Sequence, residues 1–213
     1  MTALHHVAVE GPIGVGKTTV VDRLAERLEA RKLIEDWATN PFLRPFYDAR
    51  PGAGFQAELF FMLSRYRQQQ ELLQRQLFQQ TTLVDYVFER SRLFAYLNLD
   101  DSELLIFDKL YSLLSESVPR PDLIVYLQAP TEVLLRRVKA RGRPEESQLS
   151  EEYLAEVNRA YNHYFFHYTT TPLLVVNTEG ADFARSEEDV ADLLKQIHAM
   201  GKGTQYYVPR SRG

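Results

Sequence analysis

Short, unbroken apolar runs alternate along this chain with longer segments whose apolar residues recur every three to four positions. The runs are His6-Val-Ala-Val-Glu10, Thr81-Thr-Leu-Val84, Asp122-Leu-Ile-Val-Tyr-Leu127 and Leu173-Leu-Val-Val176. Continuous apolarity over so few residues predicts strands buried on both faces. The periodic segments predict helices from about Lys17 to Arg31 (Val20, Val21, Leu24 and Leu28 on one face) and from Phe55 to about Gln79 (Leu59, Met62, Leu63, Tyr66 and Leu73). A helical pair follows over Leu93 to Leu114, then helices over Glu132 to Lys139, Glu151 to about Phe166 and Glu188 to Met200. Asn40-Pro41 with Pro45, Pro51-Gly-Ala-Gly54 and Pro119-Arg-Pro121 read as breaks. Strands alternating with helices predict an α/β fold: a central parallel sheet flanked by helices on both faces, three layers in all. The stretch from Gly201 to the end carries no pattern that assigns it an element.

Composition narrows this picture. A chain of 213 residues suits one domain, taken here as 1–213. The net charge of −4 argues against a general nucleic-acid-binding surface, so any polyanion should be small and held in a local basic pocket. There is no cysteine, which excludes disulfides, thiolate metal sites and cysteine nucleophiles. Met1 to Val9 lacks a signal-peptide pattern, and no run approaches the ~18 apolar residues of a membrane span. The expectation is a cytoplasmic protein with neither membrane nor nucleic-acid partner.

The first chemistry to emerge is Gly11-Pro-Ile-Gly-Val-Gly-Lys17-Thr18, which satisfies G-x-x-x-x-G-K-[ST] between a predicted strand and a predicted helix. Gly11, Gly14 and Gly16 permit the tight backbone that turns N–H groups, Val15 included, toward phosphate oxygens. The helix N-terminus at Lys17, Thr18 and Thr19 adds a partial positive charge. Lys17 can reach the β- and γ-phosphates of ATP, and the Thr18 hydroxyl can ligate Mg²⁺. The guanine-reading N-K-x-D string of GTPases is absent.

Four further stretches follow in order: Asn40-Pro-Phe-Leu43 with Phe46-Tyr47; Phe55-Gln-Ala-Glu-Leu-Phe-Phe61 with Ser64-Arg65; Val84-Asp-Tyr-Val-Phe88 with Phe94-Ala95; and Arg141-Gly-Arg-Pro-Glu-Glu146. Together with the phosphate loop, this series resembles the deoxynucleoside kinase family, in particular its bacterial deoxyguanosine/deoxyadenosine kinase branch. The resemblance implies a P-loop NTPase fold with a short arginine-rich lid (about 137–150), a homodimer, and transfer of the γ-phosphoryl of ATP to the 5′-hydroxyl of a deoxynucleoside. It implies that Glu35 takes the proton from that hydroxyl, with Asp36 as its rival, and that Tyr47 binds the sugar 3′-hydroxyl. Arg137, Arg141 and Arg143 resemble the lid arginines that clamp the transferring group, where planar guanidiniums suit a trianion. Glu146 resembles the lid glutamate that closes on the 3′-hydroxyl. Phe94 either stacks on the base or fills core.

Two departures bear on specificity. The family's base-reading glutamine falls, by spacing from Tyr47, on Glu58 and not on Gln56. A carboxylate only accepts hydrogen bonds, so Glu58, with Arg65 donating to O6 and N7, favours guanine; cytosine remains open. At the strand-end motif, counting from Phe94-Ala95 assigns Asp85 to the magnesium side, while Arg90 supplies a guanidinium near the 5′-hydroxyl or contacts the base. His5 and His6 read as surface residues and Trp37 as packing. Two alternatives are a nucleoside monophosphate kinase of the thymidylate-kinase type and a non-catalytic nucleotide-binding module.

Overall fold

The computed structural model describes residues 4–75, 81–146 and 148–209. Six strands form one parallel sheet: β1 (His6–Glu10), β2 (Arg31–Leu33), β3 (Thr82–Val84), β4 (Leu123–Gln128), β5 (Leu173–Asn177) and β6 (Thr204–Tyr207), in the order β2-β3-β1-β4-β5-β6. The central strands are apolar because both faces are covered; every residue of β1 and β3 is buried. One face packs on α1 (Lys17–Leu28), α6 (Thr131–Arg141) and α8 (Glu187–Ala199), through Val21, Leu24, Leu134 and Leu193. The other face carries α4 (Arg90–Asn98) and α7 (Glu151–Phe166), with Tyr126, Tyr161 and Phe165 stacked between sheet and helix. Outside these lie α3 (Ala53–Arg75) and α5 (Asp101–Ser115), joined around Met62 and Phe107. Side-chain caps fix the starts of α5 (the Asp100/Glu103 capping box), α7 (Ser150) and α8 (Ser186).

The anticipated helices and four apolar strands are all present, with three differences. Arg31–Leu33 is an edge strand and not the end of α1: Glu29 takes a left-handed turn, and the strand is too short and too charged to show an apolar run. Leu43–Tyr47, read as loop because of its prolines, is a short helix, α2. Pro45 lies in its first turn, where no backbone N–H is needed. The unassigned stretch after Gly201 supplies β6, an edge strand whose exposed residues hide any apolar alternation. The predicted extension of α3 toward Gln79 lies outside the described residues.

The winding reverses at β1, which has β3 on one side and β4 on the other. A crevice therefore opens at the carboxyl ends of these strands, where doubly wound sheets hold their ligands.

Candidate active site

Two backbone positions build the phosphate loop. A Cβ on Gly11 would lie 2.4 Å from the carbonyl oxygen of Leu127, so only glycine lets the loop pass β4 this closely. Gly16 caps α1 at φ 102°, a left-handed conformation that L side chains resist. Lys17 Nζ donates to the carbonyls of Gly11 (2.7 Å) and Pro12 (3.1 Å), bracing the loop around its own ammonium. Burial, reinforced by the charge of Arg90, lowers the Lys17 pKa to about 7, against the opposing pull of Glu10, Asp85 and Glu35. A polyphosphate beside it would favour the charged form.

A carboxylate that the sequence reading passed over anchors this end. Glu10, wholly buried at the end of β1, accepts from the N–H of Gly11 (2.8 Å), the N–H of Val87 (2.9 Å) and the hydroxyl of Tyr161 (3.1 Å). It thus ties the phosphate loop to the segment after β3 and to α7. The available signal was a lone acid closing an otherwise apolar strand. Asp85, directly after β3, accepts from the backbone N–H of Glu35 (2.8 Å) and from the Thr18 hydroxyl (3.4 Å). Burial raises its pKa, with Arg90 opposing.

A cavity of about 400 Å³ runs from this loop along α3 and α4 to the lid. Lys17, Thr18, Thr19, Glu35, Tyr47 and Glu58 line it, as do Arg65, Asp85, Arg90, Phe94, Arg141, Arg143 and Glu146. Asp36, the rival of Glu35, is exposed, and so is Gln56, the rival of Glu58. Glu35 is held by two guanidiniums: Arg65 Nε donates to Oε1 at 2.6 Å, and Arg90 lies 3.2 Å from Oε2. Burial alone would raise its pKa, but Arg65 and Arg90 outweigh it and the net shift is downward. Glu35 is therefore ionised at neutral pH.

Several side chains stand elsewhere than the sequence suggested. Arg65 turns its guanidinium to Glu35 and to the hydroxyl of Ser91 (2.8 Å), and not to the side of Glu58. The unsatisfied charge of Glu35 is the stronger partner for it. Glu58 is 5% exposed and receives Asn98 Nδ2 on Oε1 at 2.7 Å. Arg137 is absent from the cavity wall: projecting from α6, it donates to the carbonyl oxygens of Val15 (3.3 Å) and Thr178 and to the Thr178 hydroxyl (2.9 Å). It buttresses the back of the phosphate loop. In the lid, Arg141 and Arg143 both pair with Glu146, and the Arg143 guanidinium lies 4.4 Å from the ring centre of Trp37. Trp37 thus lines the cavity beneath the Arg143 guanidinium. His6 is buried, and burial, only partly opposed by the charge of Asp122, lowers its pKa to about 4, whereas its neighbour His5 is exposed.

One pattern was readable and went unread. Arg90, Phe94 and Asn98 follow one another at intervals of four on α4, and all three face the cavity. Glu58, Phe61 and Arg65 make a matching row on α3.

Among the described residues no cluster of three or more His, Cys, Asp or Glu side chains is placed to hold a metal. One carboxylate and one hydroxyl, Asp85 and Thr18, do adjoin at the mouth of the phosphate loop, a donor set that suits Mg²⁺ shared with a substrate's phosphates. No helix among the described residues is long and apolar enough to cross a membrane.

Comparison with known proteins bears on family and fold. A profile of the deoxynucleoside kinase family matches residues 7–200. A deoxyguanosine kinase of Bacillus subtilis (strain 168) is 34% identical over 162 residues, covering 76% of this chain and 78% of the relative. A deoxyadenosine kinase of Dictyostelium discoideum is 32% identical over 193 residues, 89% and 78% respectively. Among solved structures, deoxyadenosine kinase from M. mycoides with bound dATP superposes with a TM-score of 0.79 at 20% identity, covering 90% of this chain and 98% of that one.

Proposed function

The chain belongs to the deoxynucleoside kinase family, and from that premise we propose that it moves the γ-phosphoryl group of ATP onto the 5′-hydroxyl of a deoxynucleoside in nucleotide salvage, with purines, and deoxyguanosine first, as acceptors. The observation that carries this reading is Glu35, a carboxylate kept ionised by two arginines in the same cavity as Lys17 and Thr18. Glu35 accepts the proton of the 5′-hydroxyl as that oxygen bonds to the γ-phosphorus and the bond to the ADP oxygen breaks. A carboxylate of lowered pKa is a weak base. It suits a loose phosphoryl transfer, in which the nucleophile is oriented early and its proton leaves late.

The backbone of Gly11, Gly14, Val15 and Gly16, with Lys17, Thr18 and Thr19, cradles the phosphates, and Arg137 holds that cradle from behind. Arg141 and Arg143 leave Glu146 for the transferring group, which frees Glu146 to join Tyr47 at the sugar 3′-hydroxyl. Asp85 and Thr18 would hold Mg²⁺, whose charge offsets that of the β- and γ-phosphates. Arg90 steadies Glu35 beside the 5′-hydroxyl, and Phe94 offers its face to the base. The whole is one domain with a lid at about 137–150.

The relatives are named for different bases, so preference rests on this chain's own side chains. An ionised Glu58 accepts from the guanine N1–H, whereas the adenine N1 would confront it with a second acceptor. Arg65, engaged with Glu35, is withdrawn from base reading. Exposed apolar side chains on α5, among them Leu105 (60%), Ile106 (54%) and Leu113 (70%), support a homodimer; Leu113→Glu should then yield a monomer by light scattering. The cysteine-free chain suits a reducing cytoplasm. A monophosphate acceptor is disfavoured because its added charge would face Glu35 and Glu146. ATP consumption with the four deoxynucleosides, with dTMP and with no acceptor is the test. Deoxyguanosine should be fastest and dTMP inert; turnover with dTMP alone would replace this reading.

A further inference from the structure

The buried carboxyl of Glu58 has unequal oxygens. Oε1 takes the Asn98 amide N–H at 2.7 Å, whereas Oε2 is buried with no hydrogen-bond partner among the described residues. An unpartnered oxygen on a cavity-lining side chain is costly unless a ligand completes it. Asn98 is itself oriented from behind: its Oδ1 accepts the hydroxyl of Tyr153 at 3.0 Å. That bond turns the amide nitrogen, and not the amide oxygen, toward Glu58. The chain of contacts spans three elements, with Glu58 on α3, Asn98 closing α4 and Tyr153 in the first turn of α7, just past the lid.

We propose that Asn98 is a positioning residue for base selection: by holding Oε1 of Glu58 it leaves Oε2 as the one oxygen available to a nucleobase, so the same carboxyl presents an acceptor when ionised and a donor when it carries a proton. This rests on the reading of Glu58 as the base-facing side chain. Asn98 donates to Oε1, so a proton on the carboxyl resides on Oε2. The ionised form then suits the N1–H of guanine, and the protonated form suits the bare N1 of adenine. The groups around Glu58 leave both forms within reach. Burial lifts its pKa to about 7; Arg65 on α3, the Asn98 amide and Arg90 on α4 pull it down, and Glu35 after β2 pushes it up. Tyr153 on α7 is itself raised by burial and stays neutral.

The measurement is the ratio of kcat/KM for deoxyguanosine to that for deoxyadenosine, at fixed ATP and Mg²⁺, across about pH 6 to about pH 8.5. Titrations of Glu35 and Lys17 are common to both substrates and cancel in the ratio. For the wild type the ratio should climb by up to about tenfold per pH unit on both sides of about pH 7, because one substrate uses the ionised and the other the protonated carboxyl. Asn98→Leu loses the donor that favours the charged form, so the climb should move to higher pH and the ratio near neutrality should fall roughly tenfold. Tyr153→Phe, which frees the amide to turn, should move it the same way by less. Should Asn98→Leu fail to fold, by circular dichroism, Tyr153→Phe decides alone. A pH-independent wild-type ratio, or a variant that scales both substrates equally at every pH, overturns the proposal. Glu58→Gln separates the two levels. If it leaves the ratio at its wild-type value and slope, base reading by Glu58 itself fails; if it changes the ratio while Asn98→Leu does not, only the role of Asn98 falls.

Discussion

The two ends of the cavity hold the same functional group in opposite conditions. At the phosphate end Glu35 is gripped by Arg65 and Arg90 and its pKa is lowered. At the base end Glu58 meets one neutral amide and is pushed to about 7. Both are largely buried, so burial does not distinguish them. What differs is the charge of the partners: guanidiniums offset desolvation, and an amide does not. One end thereby keeps a fixed negative charge, which the proposed reaction uses for proton acceptance, and the other keeps a carboxyl whose charge is negotiable.

The comparison breaks first at Glu35. Glu35→Gln should lower kcat by roughly a thousandfold while nucleoside KM stays within a few-fold, because an amide cannot take the 5′-proton. Asp36→Asn, at an exposed position, should be close to wild type; the reverse result in steady-state kinetics would exchange their roles. Next comes Lys17→Ala, expected to cost at least about a hundredfold in kcat through loss of a contact that strengthens as charge builds on the phosphates. Turnover within a few-fold of wild type would remove Lys17 from the cradle.

At the other end Glu58→Gln should lower kcat/KM for deoxyguanosine by about ten- to hundredfold and leave deoxyadenosine level or improved, since one mispaired buried polar group costs roughly 1–3 kcal/mol. Equal losses for both would make Glu58 structural. The smallest effect concerns stability. With a folded-state pKa of about 7 against an ordinary 4.5, Glu58 withdraws stability as pH rises through that interval. Glu58→Gln should therefore match the wild type near pH 4.5 and exceed it above pH 7, by about 1–3 kcal/mol in denaturant titrations. Equal stability at both pH values would show that Glu58 is solvated.

What the sequence disclosed follows the same division. The phosphate end was legible because a phosphate loop is local: strand, glycines, lysine and helix are contiguous, and Asp85 announces itself by ending an apolar strand. The long strands and amphipathic helices were legible for the same reason, each carrying its period in its own residues. The base end depends on meetings between distant segments. Spacing identified Glu58 as cavity-facing, but the partner of Arg65 depended on where Glu35 lands after β2, and Asn98 and Tyr153 meet only once α4 and α7 dock. Arg137 stands away from the cavity for a related reason. Its nearness to the lid in sequence hid a helix that aims it at Val15 and Thr178. The edge strands are short, β2 charged and β6 polar and largely exposed, and neither has an apolar run to read.

The stripe of Arg90, Phe94 and Asn98 turns α4 into a measuring rod. Its ends lie eight positions apart, a rise of about 12 Å, and each step of four turns the next side chain only about 40° further round the helix. Substitutions at the far end can change what is read there without disturbing the guanidinium beside Glu35. A one-residue insertion between them would swing Asn98 through about 100°, to the side of the helix opposite Arg90, and carry it off the cavity wall. Under the proposed reading, lineages descended from such a protein change base preference by exchanging side chains at this tip, and insertions in this helix should be rarer among active relatives than changes there.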